Sequence, residues 1–254
     1  MQSPLILTIF LLFIALADSA ALGQSSVPSG IRLVGITWLS SNIDSLTRSF
    51  TKKGYTISPG RREPGGDFSN IIGISDGSEI MLRSTMSRDS EDWEVMALKR
   101  FGNHIAGIVF EVDSLDVFHN SLVTGNIAVT AETSSPDGVR SFALDSCSPL
   151  DVVFMQKDSA ASSLAAIPDS MRIHRNHVYR FDWVLLSAAE KIELQLRKIF
   201  EIIGARKLHQ GCCDYWRIGP SDDFCFFRFE PPSKKAAGIS NWLSIEPENI
   251  YFAY

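Results

Sequence analysis

This chain of 254 residues has few cysteines, no concentration of one charge and only one long apolar run. Each shortage excludes something. Net charge is −5, and the basic pairs Lys52-Lys53, Arg61-Arg62 and Lys234-Lys235 are too short to form a polybasic patch. Nothing electrostatic therefore favours nucleic acid or anionic lipid as a partner. The four cysteines (Cys147, Cys212, Cys213, Cys225) contain no Cys-x-x-Cys pair, which leaves thiol redox and zinc-ribbon chemistry without their usual spacing. There is no Asn-x-Ser/Thr sequon. The glycine-rich stretch 59–67 lacks the Gly-Lys-Ser/Thr ending of a phosphate-binding loop. No Ser/His/Asp or Cys/His arrangement for nucleophilic catalysis is recognisable in the sequence.

The one apolar run covers residues 5–17 and is followed by small residues at Ala17-Asp18-Ser19, Ser19-Ala20-Ala21 and Ala21-Leu22-Gly23. It is shorter than the roughly 20 residues a spanning helix needs. Run and cleavage sites together read as a secretory signal peptide over 1–23. The expected product is a secreted or periplasmic protein with no membrane partner after cleavage. Export also permits disulfides, whose pairing the sequence does not reveal.

What the chain does contain is a pattern written twice. Gly35-Ile36-Thr37-Trp38-Leu39 runs into a helical stripe, Ile43, Leu46, Phe50, and stops at Gly54. Gly107-Ile108-Val109-Phe110-Glu111-Val112 runs into Leu115, Phe118, Leu122 and stops at Gly125. Apolar spacing of three and four residues marks the core-facing side of a helix, and the glycines end it. Each copy then gives three short β-like runs: 55–57, 71–74 and 79–83 in the first, 127–130, 139–144 and 152–155 in the second. Asp76-Gly77 is a hairpin signal. The spacing predicts an α+β fold of paired βαβββ modules over 31–158, with segment 84–103 as a connector. Small residues over 159–177 read as a linker. A third, partial module over 178–254 begins with strand 179–186 and a helix opened by Ser187-x-x-Glu190, and ends in an aromatic tail.

The stretch Pro59-Gly60-Arg61-Arg62-Glu63-Pro64-Gly65-Gly66-Asp67-Phe68-Ser69-Asn70 resembles a loop of the glyoxalase-like branch of the vicinal oxygen chelate superfamily, with Pro59, Arg62, Pro64, Gly65 and Asn70 in register. Phe110–Asp116 and Pro136-Asp137-Gly138-Val139 fit the second copy of the same pattern. The resemblance implies a cupped sheet with a ligand site between the modules. In metal-dependent members a His on the first strand and a Glu on the last strand of each module hold a divalent ion. Those positions fall here on Gly35, Met81, Gly107 and Met155. Glycine has no ligand and a thioether is a poor ligand for a hard ion. The resemblance therefore implies the cup without its usual metal, and no cofactor is expected.

Strand alternation puts Thr37, Met81, Arg83, Glu111 and Met155 on the cup face. An apolar wall with a few polar groups suits a small-molecule ligand. Glu79, Arg83 and Glu111 could equally form rim ion pairs. Arg62 and Asn70, on the glycine-rich loop, complete the candidate ligand-binding set; Arg62 could clamp a carboxylate or phosphate or remain solvated, and Asn70 could cap the loop backbone. His104 could serve as a general base, but it stands three residues before Gly107, so alternation sends it to the opposite face and favours a surface histidine. Two functions follow. One is a secreted protein binding a small organic ligand without metal. The other is a lyase, isomerase or dioxygenase of the same superfamily with a displaced or absent metal.

Overall fold

The computed structural model describes residues 30–62, 68–85, 92–136, 138–145, 150–157, 167–188, 190–210, 213–220, 224–230, 243–244 and 250–253. The expected signal segment, Cys147, Cys212 and the first part of the expected linker lie outside them. Among the described residues no helix is long and apolar enough to cross a membrane.

The first module is β1 (Ile31–Leu39), α1 (Ile43–Lys52), β2 (Ser58–Arg62), β3 (Phe68–Gly73) and β4 (Glu79–Ser84). Asn42 caps α1 by accepting the Ser45 N–H at 2.9 Å, and Leu46 and Phe50 are its buried stripe. After a short helix, α2 (Trp93–Phe101), the second module follows: β5 (His104–Val112), α3 (Leu115–Thr124), β6 (Thr133–Ser134), β7 (Val139–Ala143) and β8 (Asp151–Lys157). Leu115, Phe118 and Leu122 are buried as the stripe requires. Past α3 it is Asn126, not Gly125, that takes the left-handed conformation, with φ 57°.

The eight strands form one sheet in the order β2-β3-β4-β1-β5-β8-β7-β6. The order is symmetric about the β1–β5 junction, where Ile36 pairs with Ile108. Parallel pairing within each copy is the same: Gly35 with Glu79 in β1–β4, Gly107 with Asp151 in β5–β8. Both residues shift by the same 72 positions (107 − 35, 151 − 79). Each first strand also carries a β-bulge at the matching place. Val34 is the extra residue on β1 and Ala106 the extra residue on β5.

Local departures from the sequence reading have local causes. The first copy's β2 lies at Ser58–Arg62, inside the expected glycine-rich loop, and not at 55–57. Tyr55 is instead buried under α1, 5.2 Å from the Phe50 ring. In the second copy 127–130 makes only a single bridge, Val129 with Leu144, because Ile127 is drawn into the core behind α3. The connector contributes α2, which the sequence pattern left unassigned; Asp92 caps it and Gly102, at φ 72°, ends it.

The third unit runs β9 (Arg180–Ala188), α4 (Glu190–Ile202), β10 (Arg206–Gln210), β11 (Cys213–Ile218) and β12 (Cys225–Glu230). Strand β10 completes a βαβββ order, and the strands line up as β10-β11-β12-β9, as β2-β3-β4-β1 do. Its first strand has the same bulge, at Asp182. Two tail strands, β13 (Leu243–Ser244) and β14 (Ile250–Ala253), pair antiparallel with β9. Strand β14 occupies the edge of β9 that corresponds to the edge of β1 covered by β5. The third unit packs on the back of the large sheet, away from the cup. Phe110 meets Phe154 at 5.6 Å and Phe227 at 5.8 Å; Phe227 meets Phe200 of α4 at 5.5 Å. Segment 167–179 straps the third unit to the first module: Arg172 donates to the Ile74 carbonyl at 2.8 Å, and Thr56 donates its hydroxyl to Ile173 at 2.8 Å.

Candidate functional site

Cross-strand register defines the cup face row by row. One row is Ile71-Met81-Thr37-Gly107-Asp151; the next is Glu79-Gly35-Val109-Val153. A Cβ on Gly35 would lie 3.2 Å from Val109 Cβ, and one on Gly107 would lie 3.3 Å from Thr37 Cβ. A side chain at either place would need its neighbour on the facing strand to give by a few tenths of an ångström. At Gly107 the glycine leaves open space.

That space is a cavity of about 100 Å³ beside Thr37, Gly107, Val109 and Val153. Arg83, Glu94 and Asp151 supply its charged groups. Arg83 Nη1 is 3.0 Å from Glu94 Oε1. The Glu94 side chain is only 6% exposed and that of Arg83 32%, so α2 pins the carboxylate against the end of the cup. Asp151 stands at the open rim of β8; crowding of its carboxyl by protein raises its pKa, and the Arg83 charge offsets part of that.

Among the sequence-nominated residues, Thr37 and Arg83 line this cavity. Met81 is half-buried on the same face, directly beside Thr37. Glu111 and Met155 pair with each other toward the other end of the cup, where Glu111 accepts from Arg32 Nη2 at 3.2 Å. The expected correspondence of Met81 with Met155 is not the observed register: Met81 corresponds to Val153, and Met155 to Arg83. Asn70 does not join the cup. It pairs with Leu82 and donates Nδ2–H to Thr47 Oγ1 of α1 at 2.8 Å, on the helix side. Arg62 lies at the outer end of β2, opposite Phe68.

His104 departs furthest from expectation. It is buried, 2% exposed, rather than a surface histidine. Alternation counted from Gly107 sends it away from the cup, but the extra residue Ala106 reverses the parity, and His104 pairs with Leu39 of the cavity wall. Its Nδ1 contacts the Gly102 carbonyl at 2.7 Å. Burial lowers its pKa, with the Gly102 contact acting in the opposite sense. The Val34 bulge does the same for Arg32, which pairs with Glu111 on the cup side. Sequence reasoning missed Arg32, Glu94 and Asp151. The signal available for Asp151 was its 72-residue offset from Glu79; for Glu94 there was none, since it depends on how α2 folds back.

The four positions where the resemblance implies metal ligands carry no hard donor. Among the described residues, no three His, Cys, Asp or Glu side chains converge in a way that could hold an ion. Glu79 and Asp151 are related by the repeat, yet they form no such group.

The fold and site together define a cupped-sheet protein of paired βαβββ modules, backed by a third module. No family model matches the sequence, and no curated protein matches it. A solved structure of a hypothetical protein from Staphylococcus aureus superposes with a TM-score of 0.56 at 13% identity, covering 84% of this chain and 88% of that one, and shows the same fold. Methylmalonyl-CoA epimerases from Mycobacterium tuberculosis and Streptomyces coelicolor cover 54% and 52% of this chain, with TM-scores of 0.43 and 0.41 at 11% and 14% identity. Those scores are too low to bear on function.

Proposed function

We propose that this is a secreted small-molecule-binding protein whose cup holds a small organic ligand without a divalent ion. The observation that carries the reading is the cavity where the two modules meet, with an apolar wall and three charged groups gathered at one end. Its volume, about 100 Å³, is well below the roughly 300–1,000 Å³ of pockets that enclose drug-sized ligands. The ligand it encloses is correspondingly small. Native mass spectrometry of exported protein, with elemental analysis after dialysis, tests the reading. The expected result is a bound small molecule, lost in Gly107→Val, and well under one equivalent of Zn, Mn, Fe, Ni or Cu. One tightly held metal equivalent, lost together with an activity in Glu111→Ala, overturns it.

One observation favours a second reading, an acid–base lyase or isomerase. Asp151 has a raised pKa at the rim of a cavity, as catalytic carboxylates often do. Turnover of the bound molecule by the wild type, abolished in Asp151→Asn, would establish this alternative.

A further inference from the structure

The charges around the cavity specify the ligand further, on the premise that the cup is a binding site. Glu94 and Arg83 neutralise each other across 3.0 Å. Among the described residues Asp151 has no ion pair or side-chain hydrogen bond, although the Arg83 charge acts on it. The ion pair is committed, because Glu94 is almost wholly buried and a buried carboxylate without its cation is costly. Asp151 therefore stands at the rim as a carboxylate with no ion-pair partner among the described residues. The remaining wall is apolar, built from Leu39, Ala106, Val109 and Val153, apart from the Thr37 hydroxyl. Asp151 is exposed at this rim, so its charge is reached by solvent; an anionic guest beside it would add a second negative charge, whereas a cationic guest would cancel it.

We propose that the cup selects a small organic cation: an ammonium group on the Asp151 carboxylate, carrying an alkyl part against Val109 and Val153. Size sets its limit. An apolar cavity of roughly 150 Å³ accepts the six carbons of benzene, so about 100 Å³ takes about four non-hydrogen atoms, the alkyl part of the guest, with its charged head at the open rim. A cation binds only the ionised carboxylate, so affinity falls as acid protonates Asp151, and the raised pKa moves that loss to a higher pH than for an ordinary Asp.

The test is calorimetric titration of the full mature chain with three probes of matched length: n-butylammonium, 1-butanol and butyrate. The expected order is butylammonium tightest, at least about ten-fold tighter than butyrate, with butanol between. In Asp151→Asn the butylammonium advantage disappears while Tm stays near the wild-type value. Butyrate binding as tightly as butylammonium, or butylammonium affinity unchanged in Asp151→Asn, overturns the proposal. If butanol or butyrate binds at least as tightly as butylammonium and Gly107→Val abolishes that binding, the cup remains a binding site and only the preference for a cation falls. If none of the three binds and the exported protein carries no small molecule, both readings fall.

Discussion

Phe227 offers the sharpest test of how the third module supports the cup. Its side chain is fully buried, and its ring stands 5.8 Å from Phe110 of β5 and 5.5 Å from Phe200 of α4. It joins the third module's own core to the back of the strand whose front lines the cavity. Phe227→Ala removes the ring and leaves a cavity that rigid neighbours on two sheets cannot close. Buried Phe-to-Ala changes cost about 3–5 kcal/mol. For a cooperative unit of this size, each kcal/mol lowers Tm by roughly 2–4 °C, so the expected fall is about 6–20 °C. Calorimetry should show one transition in both proteins, because a shared aromatic core makes the three modules unfold together. Ligand binding measured well below the transition should change less than about two-fold, since Phe110 faces away from the cup while Val109 faces into it. Two separated transitions, a cost below about 1 kcal/mol, or a large loss of binding would each refute this account.

His174 is buried at 3% exposure; its Nδ1 accepts the Thr56 N–H at 3.0 Å and its Nε2–H donates to the Gly73 carbonyl at 2.7 Å. Only the neutral ring can do both, and burial lowers its pKa, as it does for His104. Both folded values lie below the unfolded value of about 6.5, so the stability they contribute is complete above that pH and declines as pH falls from there toward the folded values. Tm should drop between pH 7.5 and 5, with a shallower drop in His174→Asn; a wild-type Tm flat over that range contradicts it. Asn70→Ala loses the 2.8 Å bond to Thr47 and should cost about 1 kcal/mol in denaturant unfolding, with ligand affinity unchanged. N-terminal sequencing of exported protein should find a start between Ala20 and Gln24, and intact Met1 in a membrane fraction would count against the signal peptide.

The repeat was legible because its signals are local: glycine at the same place in two apolar strands, helical stripes after each, and stops at Gly54 and Gly125. The face of each residue was legible only as far as strand alternation is unbroken. It held for Thr37, Met81, Arg83, Glu111 and Met155, which lie on one side of the bulges. It failed for His104 and never suggested Arg32, because one extra residue per strand, Ala106 or Val34, exchanges the faces beyond it. A bulge leaves no residue-type signature when the inserted residue is an ordinary Val or Ala. Asn70 was misplaced because the loop before it set no parity; the pairing of β3 with β4 does. The ion pair of Arg83 with Glu94 depends on a helix packing across a sheet, a long-range event that no short window contains.

Comparison of the three modules sets the first two apart from the third. All three share strand order, parallel register and the bulge on the first strand. Counting from the bulge, Gly35 and Gly107 correspond to Trp183, and their partners Glu79 and Asp151 correspond to Phe226. The place that is small in the first two modules thus belongs to the largest residue type in the third, and the acidic place to an aromatic one. A cup needs two such modules joined at their first strands. The third has instead a short tail strand, β14, on that edge, bringing its register and bulge partner but no second half-cup. What the third module gives the molecule is on its other face: Phe227, and behind it Phe200 and Trp216, packed toward the back of β5. The glycines that open the cup weaken the two central strands from the front, since they contribute no side chain to packing. The aromatic core of the third module supports those strands from behind, so the cavity can stay open without loss of strand register.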